Sequence, residues 1–145
     1  MYIFDLDGTI SLNEHRQHYL PKQGKKDWAA WTRACIFDDP NHNIVRIMRE
    51  LYYGNDIHIV SGRSMSAHQD TLRWLDAHGV CYDTLTMRPI GDHRDDTIIK
   101  LEMLRRIEAE HPNDVVIAIF DDRQKVVDMW RREGYTCLQV APGDF

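Results

Sequence analysis

Two carboxylates two residues apart, Asp5 and Asp7, stand in the stretch Asp5-Leu6-Asp7-Gly8-Thr9, where a short β-prone run beginning at Tyr2 ends. Side chains placed just past a strand can face one pocket. One of them can attack an electrophile while its neighbour moves a proton. With a further acid they offer the hard oxygen ligands that Mg2+ prefers. Gly8 lets the chain turn sharply and lets a substrate approach the backbone. A second acidic pair, Asp121-Asp122, closes the apolar run Val115 to Phe120 and is followed by Arg123. Metal ligation explains an acidic pair in that place. Asp122 is also suited to cap the helix that follows.

Three further positions could handle an anion. Ser61-Gly62-Arg63 ends the run Ile57 to Val60. A Ser hydroxyl and the amides after it can cradle an anion at the start of the next helix, and Arg63 can hold a phosphate with two hydrogen bonds. Lys100 falls in the first turn of a helical pattern, against the helix dipole, so a phosphate or the Asp5 carboxylate is expected beside it. The loop Arg88 to Arg94 follows a weaker apolar run, Thr84 to Met87. Arg88 and Arg94 could there reach a second phosphate.

These residues need a frame, and the apolar pattern supplies one. Tyr2 to Leu6, Ile57 to Val60, Thr84 to Met87, Val115 to Phe120 and Thr136 to Val140 read as five buried parallel strands. Between them Ile44, Ile47, Met48 and Leu51 fall at helical spacing, as do Leu72, Trp74 and Leu75 before Gly79. Ile98, Ile99, Leu101, Leu104 and Ile107, and then Val126, Val127, Met129 and Trp130, repeat the pattern. Alternating strands and helices predict an α/β, three-layer, Rossmann-like fold with right-handed crossovers. The active site of such a sheet lies beyond the carboxyl ends of its strands, where every motif above falls.

Residues 11–43 interrupt the alternation. The segment is long for a connection between a strand and a helix. It holds five Lys or Arg against two acids between Glu14 and Arg33, with Trp28, Trp31 and Ile36 near helical spacing. We read it as a small helical lid inserted after the first strand, in one domain spanning 1–145. Trp28 and Trp31 could stack on bases or pack against the core, while Trp74 and Trp130 read as core.

Composition narrows the function classes. The 145 residues carry a net charge of −5, which disfavours non-specific binding along duplex nucleic acid. No apolar run reaches the ~20 residues of a membrane span, and the opening MYIFDLDGTI does not read as a signal peptide. Three dispersed cysteines, Cys35, Cys81 and Cys137, read as free thiols in a reducing compartment, so a cytoplasmic protein is expected. Eight scattered histidines show no zinc-site spacing with cysteine and read as surface or capping residues.

An Asp-Leu-Asp-Gly-Thr stretch, a Ser ending a second strand, a helix-borne Lys and an acidic pair ending a later strand resemble the four motifs of the haloacid dehalogenase (HAD) superfamily. A narrower likeness, to the 3′-phosphatase domain family of bacteriophage polynucleotide kinase/phosphatase, lies in SGR, GDHRDDTIIK and IFDDRQKVVDMWRREGYTCLQVAPGDF. It covers Tyr2 to Phe145 and is weakest in the insertion. The resemblance implies a Mg2+-dependent phosphatase with a phosphoaspartate intermediate and the expected five-stranded HAD fold. Asp5 would be the nucleophile, and Asp7 would protonate the leaving group and then activate water. Ser61 and Lys100 would bind phosphate. Asp121, Asp122, Asp5 and the Asp7 carbonyl would hold the metal, and Arg16, Arg63 and Asp96 fall on functional positions. A protonated Asp7 needs a raised pKa, which neighbouring carboxylates could supply. The implied substrate is a nucleic-acid end with a terminal phosphate, most simply the 3′-phosphate. A mononucleotide, another small phosphate ester, or non-catalytic phosphate binding are the alternatives. No GxxxxGK[ST] stretch occurs, so a kinase or ligase partner is expected to be a separate polypeptide.

Overall fold

Apolar side chains on both faces of short strands force helices onto both sides of a sheet. The computed structural model, which describes residues 1–143, has that arrangement. Five parallel strands, β1 (Tyr2–Phe4), β4 (Ile57–Ser64), β5 (Thr84–Arg88), β6 (Ala118–Asp121) and β7 (Cys137–Gln139), form one sheet in the order β5-β4-β1-β6-β7. The helices between them are α2 (His42–Leu51), α3 (His68–Ala77), α4 (Asp96–Glu110) and α5 (Gln124–Arg132). Among the described residues no helix is long and apolar enough to cross a membrane.

The two-residue period of a strand divides the core. Ile3 and Ile119 pack with Ile99, Leu104, Val127 and Trp130 of α4 and α5. Phe4 and Phe120 pack on the other face with Met48, Trp74 and Leu75 of α2 and α3. Their rings stack 4.3 Å apart. Phe4 and Phe120 are register partners, and the Asp5 amide donates to the Phe120 carbonyl at 2.8 Å. Asp5 and Asp121 are therefore neighbours at the carboxyl ends of adjacent strands. By parity they share the face of Ile3 and Ile119, on which α4 lies.

Two strand boundaries differ most from the sequence reading. The run from Val115 begins its strand only at Ala118; Val115 is 71% exposed and Ile117 49% exposed, so these residues approach the sheet from outside it. The second expected run does not stop at Val60. β4 continues through Ser61-Gly62-Arg63, with its register to β5 shifting between Ser61 and Ser64. That bulge re-aims Arg63.

Residues 11–43 leave and rejoin the body through an antiparallel pair, β2 (Ser11–Leu12) and β3 (Asp39–Pro40). Between them lie two 3-10 turns (Glu14–Tyr19 and Ala34–Phe37) and the short helix α1 (Trp28–Arg33). Asp27 caps α1, accepting from the Ala30 amide at 2.9 Å. The insertion is anchored by burial of Trp31 and Cys35 and by the Trp74 indole, which donates to the Asp38 carbonyl at 2.8 Å.

Candidate active site

Parity and register place Lys100 between two acids. Its helix α4 starts at Asp95, whose side chain accepts from the Thr97 amide at 3.0 Å. One further turn brings Lys100 to the strand ends. Its Nζ donates to Asp5 Oδ1 at 2.6 Å and to Asp121 Oδ2 at 2.8 Å. Lys100, Asp5 and Asp121 are all buried. The Trp130 indole of α5 donates to the same Asp121 oxygen at 3.3 Å. Asp122 completes the cluster: one oxygen each from Asp5, Asp121 and Asp122 lie within 4.8 Å of one another.

Three carboxylates against one ammonium leave an excess of negative charge. Burial, then Asp121 and Asp122 against Lys100, holds the Asp5 carboxyl well above its ordinary value. Burial and Asp121 push Asp122 up to about 6. A buried oxygen-rich set with raised proton affinity fits Mg2+, which would replace protons as the neutralising charge. Gly8 is required beside it. Its φ is +90°, and a Cβ there would stand 2.2 Å from Asp122 Oδ2.

A pH-dependent consequence follows for stability. Asp5 and Asp122, with raised pKa values, hold more protons in the folded chain than in the unfolded one between about pH 4 and 6, so the contribution of these two groups to stability falls as pH rises through that window. Mg2+ held by these carboxylates would compete with those protons. We expect millimolar MgCl2 to raise Tm more at about pH 7.5 than at about pH 5, read by differential scanning calorimetry. Equal gains at both pH values would place the ion elsewhere.

Asp7 points away from this cluster into a second network. Arg16 and Arg63 both donate to its Oδ1, and Arg63 Nε donates to Oδ2 at 3.1 Å. Burial works to raise the Asp7 carboxyl, but Arg63 and then Arg16 outweigh it and hold it at about 2. The expectation of a raised Asp7 is thereby reversed, because its nearest charges are guanidinium groups and not carboxylates. Arg16 and Arg63 are both buried. Arg63 also donates to Thr71 Oγ1 at 3.0 Å, and the Arg16 guanidinium lies 3.9 Å above the Trp31 ring.

Asp38 is the acid that sequence reading missed. It is buried, accepts from Arg16 Nε at 2.7 Å, and lies 3.5 Å from the Arg63 guanidinium. Nothing in Asp38-Asp39-Pro40 distinguishes it from a solvated turn; only the closure of β2 on β3 brings it inward.

Ser61 is buried at the carboxyl end of β4, and its Oγ accepts from the Arg63 amide at 3.1 Å. The helical turn after it starts later, capped by Ser64. Arg88 and Asp96 form a third group with Gly62. Arg88 Nε donates to the Gly62 carbonyl at 2.8 Å, and its Nη1 donates to the Asp92 and Arg94 carbonyls at 3.0 and 2.7 Å. Asp96 accepts from both Arg88 and Arg123. Its Oδ1 lies 2.7 Å from where a Cβ on Gly62 would stand. Arg88 thus holds the 89–95 loop, while Arg94 pairs with Asp92 and Glu102. Asp122 does not cap α5, whose N-cap is Arg123 and lacks a side-chain cap bond. Asp121 instead accepts from the Arg123 amide at 3.2 Å. In the C-terminal Gly-Asp-Phe stretch, Gly143 accepts from the Gln124 amide at 2.7 Å, and Asp144 and Phe145 lie outside the described residues.

Comparison with known proteins agrees with this frame. Residues 1–145 match the family described as the polynucleotide kinase PNKP phosphatase domain. A protein of Autographa californica nuclear polyhedrosis virus, named as a bifunctional polynucleotide kinase/RNA ligase, is 31% identical over 130 residues. Those residues are 88% of this chain and 17% of the viral protein, so the chain spans about a sixth of that relative. A chain of the Pnkp1/Rnl/Hen1 RNA repair complex superposes with a TM-score of 0.83 at 34% identity, over 99% of this chain and 43% of that one. A haloacid dehalogenase-like hydrolase from Streptococcus pneumoniae shares the fold with a TM-score of 0.69 at 15% identity, over 95% of this chain and 82% of that one. The chain belongs to the PNKP phosphatase domain family, and it is a phosphatase of the HAD type.

Proposed function

We propose that this phosphatase is a Mg2+-dependent phosphomonoesterase that forms an aspartyl phosphate on Asp5 and takes the 3′-terminal phosphate of a nucleic acid as substrate. The observation that carries the chemistry is the buried Lys100 bridging Asp5 and Asp121, with Asp122 alongside, at the carboxyl ends of β1 and β6. Bound to Asp5, Asp121, Asp122 and the Asp7 carbonyl, Mg2+ would offset the repulsion between an anionic carboxylate and an anionic phosphate.

The protein's own groups do the rest. Lys100 favours the ionised form of Asp5 against the burial that raises its pKa, the bound cation would complete that neutralisation, and an Asp5 oxygen attacks phosphorus in line. The bond to the nucleic-acid oxygen breaks, and Asp7 gives that oxygen its proton. Water then attacks the acyl phosphate with Asp7 taking a proton, and inorganic phosphate leaves. In the free protein Asp7 is held ionised by Arg63 and Arg16. A phosphate dianion beside Ser61 and Arg63 competes for those guanidinium groups. Once they turn to it, burial of Asp7 is no longer outweighed, and its carboxyl rises toward the range of a proton donor.

The substrate assignment rests on the relatives and on the insertion. The relatives are named for polynucleotide kinase, RNA ligase and RNA repair, which supports a nucleic-acid end and a ligase or kinase acting with this domain. Trp28 is 54% exposed on the insertion, with Lys26 Nζ 5.7 Å from its ring, a pairing suited to an unstacked base. Trp31 is buried under Arg16 and serves the core of the insertion. The insertion would act as the lid. Free Cys35, Cys81 and Cys137 suit a reducing cytoplasm.

The test supplies Mg2+ with a 3′-phosphorylated oligonucleotide, a 5′-phosphorylated one, and the matching mononucleotides. We expect kcat/KM for the first to exceed the others by at least roughly tenfold, about 1.4 kcal/mol in the transition state. Release from mononucleotides alone would reassign the domain as a nucleotidase. Binding without release would reduce it to a phosphate-binding module.

A further inference from the structure

We propose that Asp56, His58 and His111 form a second metal site, for a transition-metal ion of the Zn2+ type, at the amino ends of the strands, opposite the acid pocket. The site lies where β4 begins and α4 ends, away from the strand ends that carry Asp5 and Asp121. It does not depend on the reading of the phosphatase chemistry.

The starting observation is a histidine that departs from the expectation of surface or capping roles. His58, the second residue of β4, is 1% exposed. Its Nδ1 lies 2.7 Å from Thr84 Oγ1 on the neighbouring strand. Its Nε2 is buried and has no hydrogen-bond partner among the described residues. A buried polar atom without a partner costs free energy, and native structures rarely leave one unexplained.

That nitrogen does not stand alone. His111 ends α4, and its ring centroid is 5.0 Å from that of His58, tilted by 56°. Asp56 precedes β4, and its carbonyl is pinned by the Tyr2 amide at 2.9 Å. One ligand atom from each of the three residues lies within 4.8 Å of the others. Ligand atoms around Zn2+ stand roughly 3.3 Å apart, given bonds of about 2.0–2.1 Å. Asp56 is exposed and His111 half-buried, so small side-chain rotations close the difference. Ring packing between the two histidines would not satisfy the buried Nε2; a shared cation would.

The donor set selects the ion. Two imidazole nitrogens and one carboxylate suit Zn2+ and its neighbours in the transition series, whereas Mg2+ prefers an all-oxygen octahedron. Three protein ligands leave a fourth position for water. Thr84 Oγ1, 2.7 Å from the other ring nitrogen, holds the ring plane and can accept from Nδ1–H in the tautomer that frees Nε2 to ligate, as outer groups do in metal sites. Filled, the site would staple the last turn of α4 to the first residues of β4.

The test titrates the chain with Zn2+ against a chromophoric chelator in saturating Mg2+, and X-ray absorption at the zinc edge reads the ligands. The expected result is one Zn2+ with two imidazoles in its shell. His111→Gln and Asp56→Asn, both on side chains with solvent contact, should each weaken binding at least about tenfold, since even outer-shell changes cost roughly 10–100-fold. Phosphatase turnover with Mg2+ should be unchanged in both. Zinc binding that is unaltered by His111→Gln, or a bound ion showing only oxygen scattering, would overturn the proposal. So would failure of Zn2+ to bind.

Discussion

Asp5→Asn is expected to lower kcat by about 10⁴-fold or more, because an amide oxygen cannot form the acyl phosphate on which both half-reactions of the proposed mechanism depend. The same substitution should leave Tm unchanged or slightly higher. Asp5 is one of three clustered buried carboxylates, shares Lys100 with Asp121, and has its pKa raised by burial together with Asp121 and Asp122. Removing its charge relieves repulsion at that cluster and leaves Lys100 paired with Asp121 at 2.8 Å. Radiolabelled phosphate trapped on the wild-type chain by acid quench, and absent from the variant, would separate a lost nucleophile from lost substrate binding. Turnover within tenfold of wild type would show that the attacking group lies elsewhere. A collapse of Tm would show that Asp5 is structural first.

The strand-end motifs were legible in sequence because their placement is a matter of local parity. Asp5 comes directly after β1 and Asp121 is the last residue of β6, each next to an apolar phenylalanine, and the register partners Phe4 and Phe120 bring them together. Lys100 was legible for a different reason: a cation near a helix start requires a nearby anion. The environment of Asp7 was not legible. Asp7 has the same spacing from Asp5 in any such stretch, yet its proton affinity is set by Arg16 and Arg63, nine and fifty-six residues away. Asp38 was invisible for the same reason, since its burial depends on how residues 11–43 fold back as a unit. His58 was misread because an apolar run containing one His gives no hint of which ring nitrogen lacks a partner. The strand starting at Ala118 in place of Val115 reflects a limit of hydropathy, which marks apolar residues and not those that reach the ladder.

The two networks around the strand ends divide the charge. One carries excess negative charge on Asp5, Asp121 and Asp122 with a single Lys100. The other gathers Arg16 and Arg63 on Asp7 and Asp38. A metal cation would suit the first, and a phosphate dianion would compete for the guanidinium groups of the second. The Arg16–Asp38 pair joins two parts of the insertion, and Arg16 also reaches Asp7. Seating of the insertion is thus coupled through Asp7 to the place where a phosphate would arrive.

Lys100→Met is expected to be the most destabilising single change at the site. The methionine keeps much of the aliphatic stem but leaves Asp5 and Asp121 buried and without their shared donor. Breaking a buried ion pair by removing one partner costs about 3–5 kcal/mol, which in a chain of this size lowers Tm by roughly 10–15 °C. Lys100 is held well above its ordinary pKa by Asp121 and then Asp5, which outweigh the opposing effect of burial. It is therefore charged at every pH where the protein is folded, and the loss should depend on the carboxylates alone. At about pH 5 their protonation makes the deficit smaller, and Mg2+ at neutral pH should recover part of it. Turnover with Mg2+ should still fall by about 10²–10³-fold, because a fixed donor beside the nucleophile and the transferring phosphoryl group is missing. The decisive arm is a double variant. Asp121→Asn in the Lys100→Met background removes one of the two stranded charges and should restore part of the lost stability, a coupling that calorimetry reads directly. Additive losses would mean that Lys100 acts through packing, and that the ion pairs at 2.6 and 2.8 Å contribute little to holding α4 against the strand ends.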